Sequence, residues 1–361
     1  MANERPTYKK WLFPISLLYG MGVNIRNLLF DWNILKSKSY AIPIICVGNI
    51  TVGGTGKTPH IEYLVNLLLR EKFNIAILSR GYKRKTTGYV LAKESSTAKE
   101  IGDEPYQMKM KFPQVTVAVD EDRRHGIKKL LKIDNPHIDV ILLDDAYQHR
   151  RVKAGLNILL TDHDRLFTED LLLPAGRLRE PAHEKERAHI VVVTKCPSKL
   201  KPIDFHILGK KLNLYPYQGL FFSQIAYESL RPLYPDKASS HAFHAEENVL
   251  LLTGIASPAP LIEEVSKQVK HVEHLTFADH HDYKKKDIHH IEKVFRQMAG
   301  EQKIIVTTEK DAARLLGKVQ FNEDTKPFVY VLPMGIQILQ DRETAFNHQI
   351  INYVKTNKRH C

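Results

Sequence analysis

Short runs of β-branched and aliphatic residues recur at 42–47, 75–78, 115–119, 140–143, 157–160 and 190–193, and helical or mixed stretches separate most of them. These runs are continuously apolar, without the alternation of a half-exposed strand. They predict an α/β fold in which a parallel sheet is covered by helices on both faces. In such a sheet the functional loops follow the carboxyl ends of the strands. Past a stretch rich in Lys and Pro at 196–204, four further apolar segments follow at 220–226, 249–252, 303–307 and 327–332, with helical patterns at 260–270 and 285–299. They predict a second, smaller α/β domain closing over the site. The expected organisation is an N-terminal region at 1–38, a core domain at 39–200 and a C-terminal domain at 201–361. No internal repeat or low-complexity tract is present.

The N-terminal region has a different pattern. Trp11 to Ile25 contains no charged residue, and Lys9, Lys10 and Arg26 flank it. It is shorter than the ~20 residues needed to cross a bilayer, and Pro14, Gly20 and Gly22 interrupt it. Trp11, Ile15, Leu18, Ile25 and Leu29 recur at helical spacing, with Phe13, Tyr19, Phe30 and Trp32 nearby. Aromatic and aliphatic bulk beside basic residues suits a helix lying in a membrane interface. The competing reading is a helix packed on the protein's own core.

Composition narrows the partners. The 361 residues are 43% hydrophobic and 26% charged, as in a soluble globular protein, and carry a net charge of +12. That excess suits an anionic partner: nucleic acid, an anionic membrane surface or a phosphorylated substrate. No helicase-like motif set and no interleaving of aromatic with basic residues supports nucleic acid. Cys46, Cys196 and Cys361 are far apart, so they predict no disulfide framework and a reducing compartment.

The strongest chemical signal follows the first predicted strand, where residues 51–58 read Thr-Val-Gly-Gly-Thr-Gly-Lys-Thr. Glycines let backbone N–H groups converge on an anion without obstruction by Cβ, and the helix that follows points its positive end at the same place. Gly53, Gly54, Thr55 and Gly56 would form this phosphate cradle. Lys57 would reach the β- and γ-phosphates, and the Thr58 hydroxyl would ligate Mg²⁺. Thr51 stands where such loops usually carry their first glycine.

Several other segments carry groups suited to the same chemistry. The run Asp139 to Asp145 is an apolar strand ending in Asp144 and Asp145, and a P-loop protein needs an acidic group there for Mg²⁺. Gln148 and His149 follow and could orient metal-bound water. Asp103 and Glu104 precede Pro105 at a predicted helix start, where they either cap the helix or supply a carboxylate that takes a proton from a substrate hydroxyl. Ser79-Arg-Gly-Tyr82 ends the second strand, and Pro174-Ala-Gly-Arg-Leu-Arg-Glu-Pro181 forms a basic loop. The His pair at 280–281, flanked by Asp279 and Asp282, lacks the Cys or HExxH spacing of a zinc site. It reads as a solvated loop or as a histidine meeting a carboxylate across a cleft.

In this order the segments resemble the tetraacyldisaccharide 4′-kinase family of lipid A biosynthesis. The features carrying the resemblance are the apolar N-terminal helix, GGTGKTP, LSRGY, GDEP, the Asp-Asp-x-x-Gln-His strand end, PAGRLRE, the late DHH and Val306-Thr-Thr-Glu-Lys-Asp311. They extend from about Trp11 to beyond Asp311. The chain departs from the family pattern at Ala146 and Tyr147, where Gly-Phe is usual, and at Arg177, where Pro is usual. The resemblance implies MgATP-dependent phosphorylation of the 4′-hydroxyl of a tetra-acylated glucosamine disaccharide 1-phosphate, at the cytoplasmic face of a Gram-negative inner membrane. Its expected partners are that lipid A precursor and the anionic membrane surface, with no nucleic acid and no obligate protein partner. It implies Asp103 as general base supported by His280, with His281 as the alternative. It also implies Lys57 and Arg123 as stabilisers of the transferring phosphoryl group, and Thr58, Asp144, Asp145, Gln148 and Glu180 around Mg²⁺. The loop sub-form by itself also suits a P-loop ATPase or GTPase switch acting on a protein or a metal centre. Fractionation with membranes separates those two readings.

Overall fold

A computed structural model describes residues 9–255, 258–279, 281–316 and 319–358. Two sheets organise the chain. The larger has nine strands: β1 (Ile44–Gly48), β2 (Ile75–Ser79), β3 (Val90–Leu91), β4 (Thr116–Val119), β5 (Val140–Asp144), β6 (Leu156–Asp162), β7 (Ile190–Thr194), β8 (Gly219–Tyr227) and the late strand Met334–Ile338. Its order is Met334–Ile338, β8, β7, β6, β1, β5, β2, β4, β3, so β1 lies in the middle. The seven strands from β8 to β4 run parallel, and the two edge strands are antiparallel.

Because side chains alternate along a strand, β1 feeds two cores. Ile45 and Val47 join Ile61, Leu64, Val65 and Leu68 on one face, while Ile44 and Cys46 join Ile127, Leu130 and Leu143 on the other. Helices α2 (Lys57–Arg70) and α5 (Arg123–Leu130) supply those partners. Between them in sequence lie α3 (Ala98–Ile101) and α4 (Asp103–Lys111). Strands β1, β2, β5 and β7 are buried along their whole length, which is why the sequence shows unbroken apolar runs there.

The second sheet has the order β11 (His271–Thr276), β10 (Asn248–Thr253), β12 (Lys303–Thr308), β13 (Val329–Leu332), β9 (Arg231–Pro232). Helices α7 (Ala259–Ser266), α8 (Lys285–Gln297) and α9 (Glu309–Leu316) accompany it.

The boundary expected at residue 200 is corrected. The Lys- and Pro-rich stretch is the loop from β7 into α6 (Pro202–Leu212), and β8 then pairs parallel to β7, with Ile190 opposite Gly219. The second sheet is therefore an insertion, after which the chain returns through β14 (Met334–Ile338) and α10 (Glu343–Lys358). Phe346, Ile350 and Val354 of α10 are buried in the first core, and the Tyr353 hydroxyl donates to the Ile44 carbonyl at 3.0 Å. A β–α–β unit continues its sheet by local pairing, so a shift in composition within its loop does not mark a domain end.

The N-terminal residues form α1 (Phe13–Asp31). Ser16, Gly20, Asn27 and Phe30 are its buried positions, whereas Leu17, Leu18, Met21, Ile25 and Leu28 are exposed, as are Trp11 and Trp32 beyond its ends. No described helix is long and apolar enough to cross a membrane. Cys46 and Cys196 are free and buried, and Cys361 lies outside the described residues.

Candidate active site

The central strand β1 delivers the glycine-rich loop to the start of α2. Gly56 turns the chain at φ +81°, a left-handed conformation that suits glycine and aims the first turn of α2. Thr55 is buried, and its hydroxyl accepts from Asn49 Nδ2 at 2.8 Å while its carbonyl accepts from the Thr194 hydroxyl at 2.9 Å. One turn into α2, the His60 ring lies 2.7 Å from the Gly56 carbonyl through Nδ1 and 3.0 Å from Ser223 Oγ through Nε2. Burial pushes His60 down to about 4, so at neutral pH it is uncharged. The carbonyl can only accept, so Nδ1 carries the proton and Nε2 receives the Ser223 hydroxyl. The loop is clamped from both ends before any ligand arrives.

Strand β5 pairs with β1 so that Asp144 lies opposite Val47. Asp145 follows at φ +47° and its carboxylate meets Lys57 Nζ at 3.6 Å and Arg179 Nη1 at 3.2 Å. Burial acts to raise Asp145, but Lys57, Arg179 and Arg123 hold it below the usual carboxylate range. Asp144 is the opposite case. Burial, followed by the Glu104 and Asp145 charges, pushes it up to about 7. Its Oδ2 accepts from Ser79 Oγ at 3.1 Å, while Oδ1 is buried with no hydrogen-bond partner. A buried orphan oxygen beside a second carboxylate, at the end of a strand next to a phosphate loop, fits a hard cation. Thr58, half-buried in the first turn of α2, is the remaining oxygen donor of that set.

The other expected residues are placed as follows. Arg123 is buried and donates to the backbone carbonyls of Asp120 at 2.7 Å and Asp144 at 3.2 Å, so it reaches the site by tying two strand ends together. Gln148 Nε2 donates to the Asn49 carbonyl at 2.8 Å and lies 3.3 Å from Glu180. Glu180 is buried against Arg187 at 2.6 Å, and Asn27 of α1 lies 3.5 Å from it, which puts it in the layer between α1 and the loop. His149 is turned toward Asp122 at 3.7 Å, and burial together with Arg123 pushes it down to about 4.

Asp103 opens α4. Gly102, at φ +93°, is the N-cap and makes no side-chain cap bond. The Asp103 carboxylate instead accepts from Arg314 of α9 through Nε at 3.3 Å and Nη2 at 3.1 Å. His280 lies outside the described residues, so its expected pairing with Asp103 does too. His281 is engaged within its own lobe, 3.1 Å from Asp287 and against the rings of Phe277 and Tyr283. The described residues contain no group of three or more His, Cys, Asp or Glu poised for a metal.

Sequence reasoning missed three participants. The arginines of the PAGRLRE loop are expected to contact phosphate or to be surface charge, yet Arg179 pairs with Asp145, and its N–H donates to the Ile50 carbonyl at 2.7 Å. Glu104 was weighed with Asp103, but its charge acts on Asp144 across the site. Arg314 carries no local signal beyond its place three residues after Asp311. The departures from the family pattern are absorbed locally. Tyr147 is buried with its hydroxyl donating to the Glu184 carbonyl at 2.7 Å. Arg177 uses its N–H on Asp170 at 3.2 Å, a bond no proline could make.

A central glycine-rich loop, a lysine at the helix start and a carboxylate pair on the neighbouring strand define an α/β enzyme of the P-loop phosphotransferase class. The sequence pattern of the "Tetraacyldisaccharide-1-P 4'-kinase" family (LpxK) matches residues 8–355. The tetraacyldisaccharide 4'-kinase of Bacteroides thetaiotaomicron is 55% identical over 359 residues, covering 97% of this chain and 94% of that protein. The protein of the same name from Flavobacterium johnsoniae is 46% identical over 349 residues, covering 97% and 98%. A crystal structure described as the "apo" form of LpxK from Aquifex aeolicus in complex with ATP superposes with a TM-score of 0.71 at 31% identity, covering 96% of this chain and 98% of that one. The chain belongs to the tetraacyldisaccharide-1-phosphate 4'-kinase family.

Proposed function

We propose that this protein transfers the γ-phosphoryl group of ATP to the 4′-hydroxyl of a tetra-acylated glucosamine disaccharide 1-phosphate, working on the cytoplasmic face of a Gram-negative inner membrane. The observation that carries this reading is the seam between α1 and the phosphate edge. Tyr19 donates to the Arg179 carbonyl at 2.8 Å, Arg26 to the Gln148 carbonyl at 2.7 Å and Asn27 to Glu184 at 2.6 Å. Arg179 itself grips Asp145. The helix whose outer face is apolar is thus fastened to the loops that border the phosphate loop. A substrate with its acyl chains in a bilayer and its sugar at the surface is thereby brought to ATP.

The roles follow from the chemistry of each group. Loop amides from Gly53 to Gly56 and the N-terminus of α2 receive the phosphates, and Lys57 neutralises charge as the phosphoryl group moves. Asp144, Asp145 and Thr58 would hold Mg²⁺, which supplies further neutralisation of phosphate charge when bound. Its charge favours the ionised form of Asp144. Gln148 and Glu180 back this set from the α1 side. Asp103 takes the 4′-hydroxyl proton while the sugar oxygen bonds to the γ-phosphorus and the β–γ bridging bond breaks to release ADP; the resemblance gives His280 a share in holding that proton. A positioned base is worth about 10²–10⁴ in rate. The outward face of α1, with Lys9, Lys36 and Lys38 close by in sequence, rests in the anionic interface, where each basic residue adds about 1 kcal/mol.

The test is transfer of γ-labelled phosphate from ATP to the detergent-dispersed disaccharide by the purified full chain. The expected product gains one phosphoryl group, and Lys57→Ala abolishes it. Label released only as inorganic phosphate, with lipid present, would contradict the proposal.

A further inference from the structure

Among the described residues, the inserted sheet makes charged contact with the kinase core through a helix pair, α4 against α9. Three ion pairs line it. Asp103 meets Arg314 at 3.1 Å, Glu104 meets Lys310 at 3.3 Å, and Lys111 meets Glu309 at 2.6 Å. Lys111 also meets Glu62 of α2 at 2.6 Å, which ties the pair to the phosphate-loop helix. The Glu104–Lys310 pair is partly exposed, and the Lys111 pair is largely buried but ends in a flexible ammonium. The Asp103 pair is different, because the buried Arg314 guanidinium is planar and is itself held in place.

Arg314 Nη1 donates to Asp311 Oδ1 and to the Gly254 carbonyl, each at 3.2 Å. Asp311 is fully buried, and its Oδ2 accepts from the Gly254 N–H at 2.9 Å and the Thr308 hydroxyl at 2.8 Å. Gly254 and Thr308 stand at the carboxyl ends of β10 and β12. The inserted sheet thus aims one planar guanidinium at Asp103 from a rigid mount. A Cβ on Gly254 would lie 2.7 Å from Asp311 Oδ1, so only glycine leaves room for that mount.

We propose that Arg314 is a positioning residue for Asp103, mounted by Asp311 and Gly254, and that it sets the carboxylate's orientation toward the substrate hydroxyl. The inference rests on the reading of Asp103 as general base. Two N–H groups on one carboxylate oxygen fix its torsion in a way a flexible ammonium cannot. A bare cation beside a base would also weaken it by favouring its charged form. Asp311 answers that difficulty: it shares the same guanidinium, so the three groups together carry one net negative charge, and Asp103 is oriented without facing an uncompensated cation.

The experiment compares Arg314→Ala, Arg314→Lys, Gly254→Ala and Asp103→Asn in the full chain with ATP and detergent-dispersed disaccharide. Arg314→Ala lowers kcat on the order of 10²-fold, the cost of a misplaced catalytic group, while the KM for ATP stays within about twofold. Millimolar ethylguanidinium restores part of that loss. Arg314→Lys, which keeps the charge, remains impaired, and Gly254→Ala shows the same kcat-selective loss. Native kcat in Arg314→Lys, or equal losses in kcat and ATP affinity without rescue, would overturn the proposal. Native turnover in Asp103→Asn would instead overturn the general-base reading, and a dead Asp103→Asn beside a fully active Arg314→Ala would overturn this inference alone.

Discussion

Helices α1 and α2 reach the same phosphate edge and bury opposite kinds of surface. Of the fourteen residues of α2, Ile61, Leu64, Val65, Leu67 and Leu68 are turned into the sheet, together with two polar side chains that each have work there. His60 clamps the loop, and Glu62 takes Lys111 and Gln107. In α1 the inward positions are Ser16, Gly20, Asn27 and Phe30, the polar ones hydrogen-bonded, while Leu18 is 65% exposed and Ile25 53% exposed. A helix facing water on its outer side would be arranged the other way round. The difference is that α2 is stabilised by the protein's own core, whereas α1 is attached largely by polar contacts and leaves apolar side chains exposed, as the proposed membrane contact requires.

That contrast can be broken by matched substitutions. Leu68→Ala, in the α2 core, should cost about 2–5 kcal/mol in urea unfolding. Leu18→Ala, chemically the same change on α1, should leave the unfolding midpoint unchanged. If the two lost equal stability, α1 would be an ordinary core helix. Next in size, Leu18→Asp combined with Ile25→Asp should weaken flotation with phosphatidylglycerol vesicles by about 10²-fold, since each buried aliphatic side chain contributes roughly 1.5–3 kcal/mol. The melting temperature in detergent should not fall. A rise in monomer content with unchanged vesicle binding would mean that the face covers a second copy of the chain instead.

The inward side sharpens the same comparison. Asn27→Leu removes the amide donor from Glu184 Oε1, leaving the buried carboxylate the hydrogen bond from Arg187 at Oε2, and should cost about 1–3 kcal/mol of stability, whereas a polar-to-apolar change on the outer face would be neutral. The smallest effect concerns Glu62, where burial and then the Glu309 charge raise the pKa from the usual 4.5 to about 7. The folded chain therefore holds a proton there that the unfolded chain has released. Stability from this group is full below pH 4.5 and is lost as pH rises through about 7. Glu62→Gln should remove that decline, of at most about 1.4 kcal/mol per pH unit. Parallel pH slopes of melting temperature in the two proteins would contradict the assignment.

What the sequence made legible follows from where each signal resides. Strands β1, β2, β4, β5, β6 and β7 could be read because burial on both faces writes an unbroken apolar run. The phosphate loop could be read because Gly56, Lys57 and Thr58 act through adjacent backbone. Sheet membership could not, because β8 and β14 show the same apolar pattern in either sheet, and only the pairing of Ile190 with Gly219 decides it. The Asp103–Arg314 contact joins residues 211 positions apart, and no local pattern records it. In α1 the apolar spacing suited an interfacial helix, but the contacts that turn its apolar face outward were not visible. The cause is a handful of polar residues, Ser16, Tyr19, Arg26 and Asn27, whose partners lie about 120 to 160 positions away.

The most direct test of the account is the initial rate of γ-phosphate transfer to the disaccharide presented in two ways, in anionic vesicles and in detergent micelles. It is run with the native chain and with the Leu18→Asp, Ile25→Asp double variant. The account predicts that the variant matches the native rate in micelles and falls by about 10²-fold on vesicles, in proportion to its lost membrane affinity. Equal rates for both proteins on vesicles, or an equal fall in both media, would contradict it.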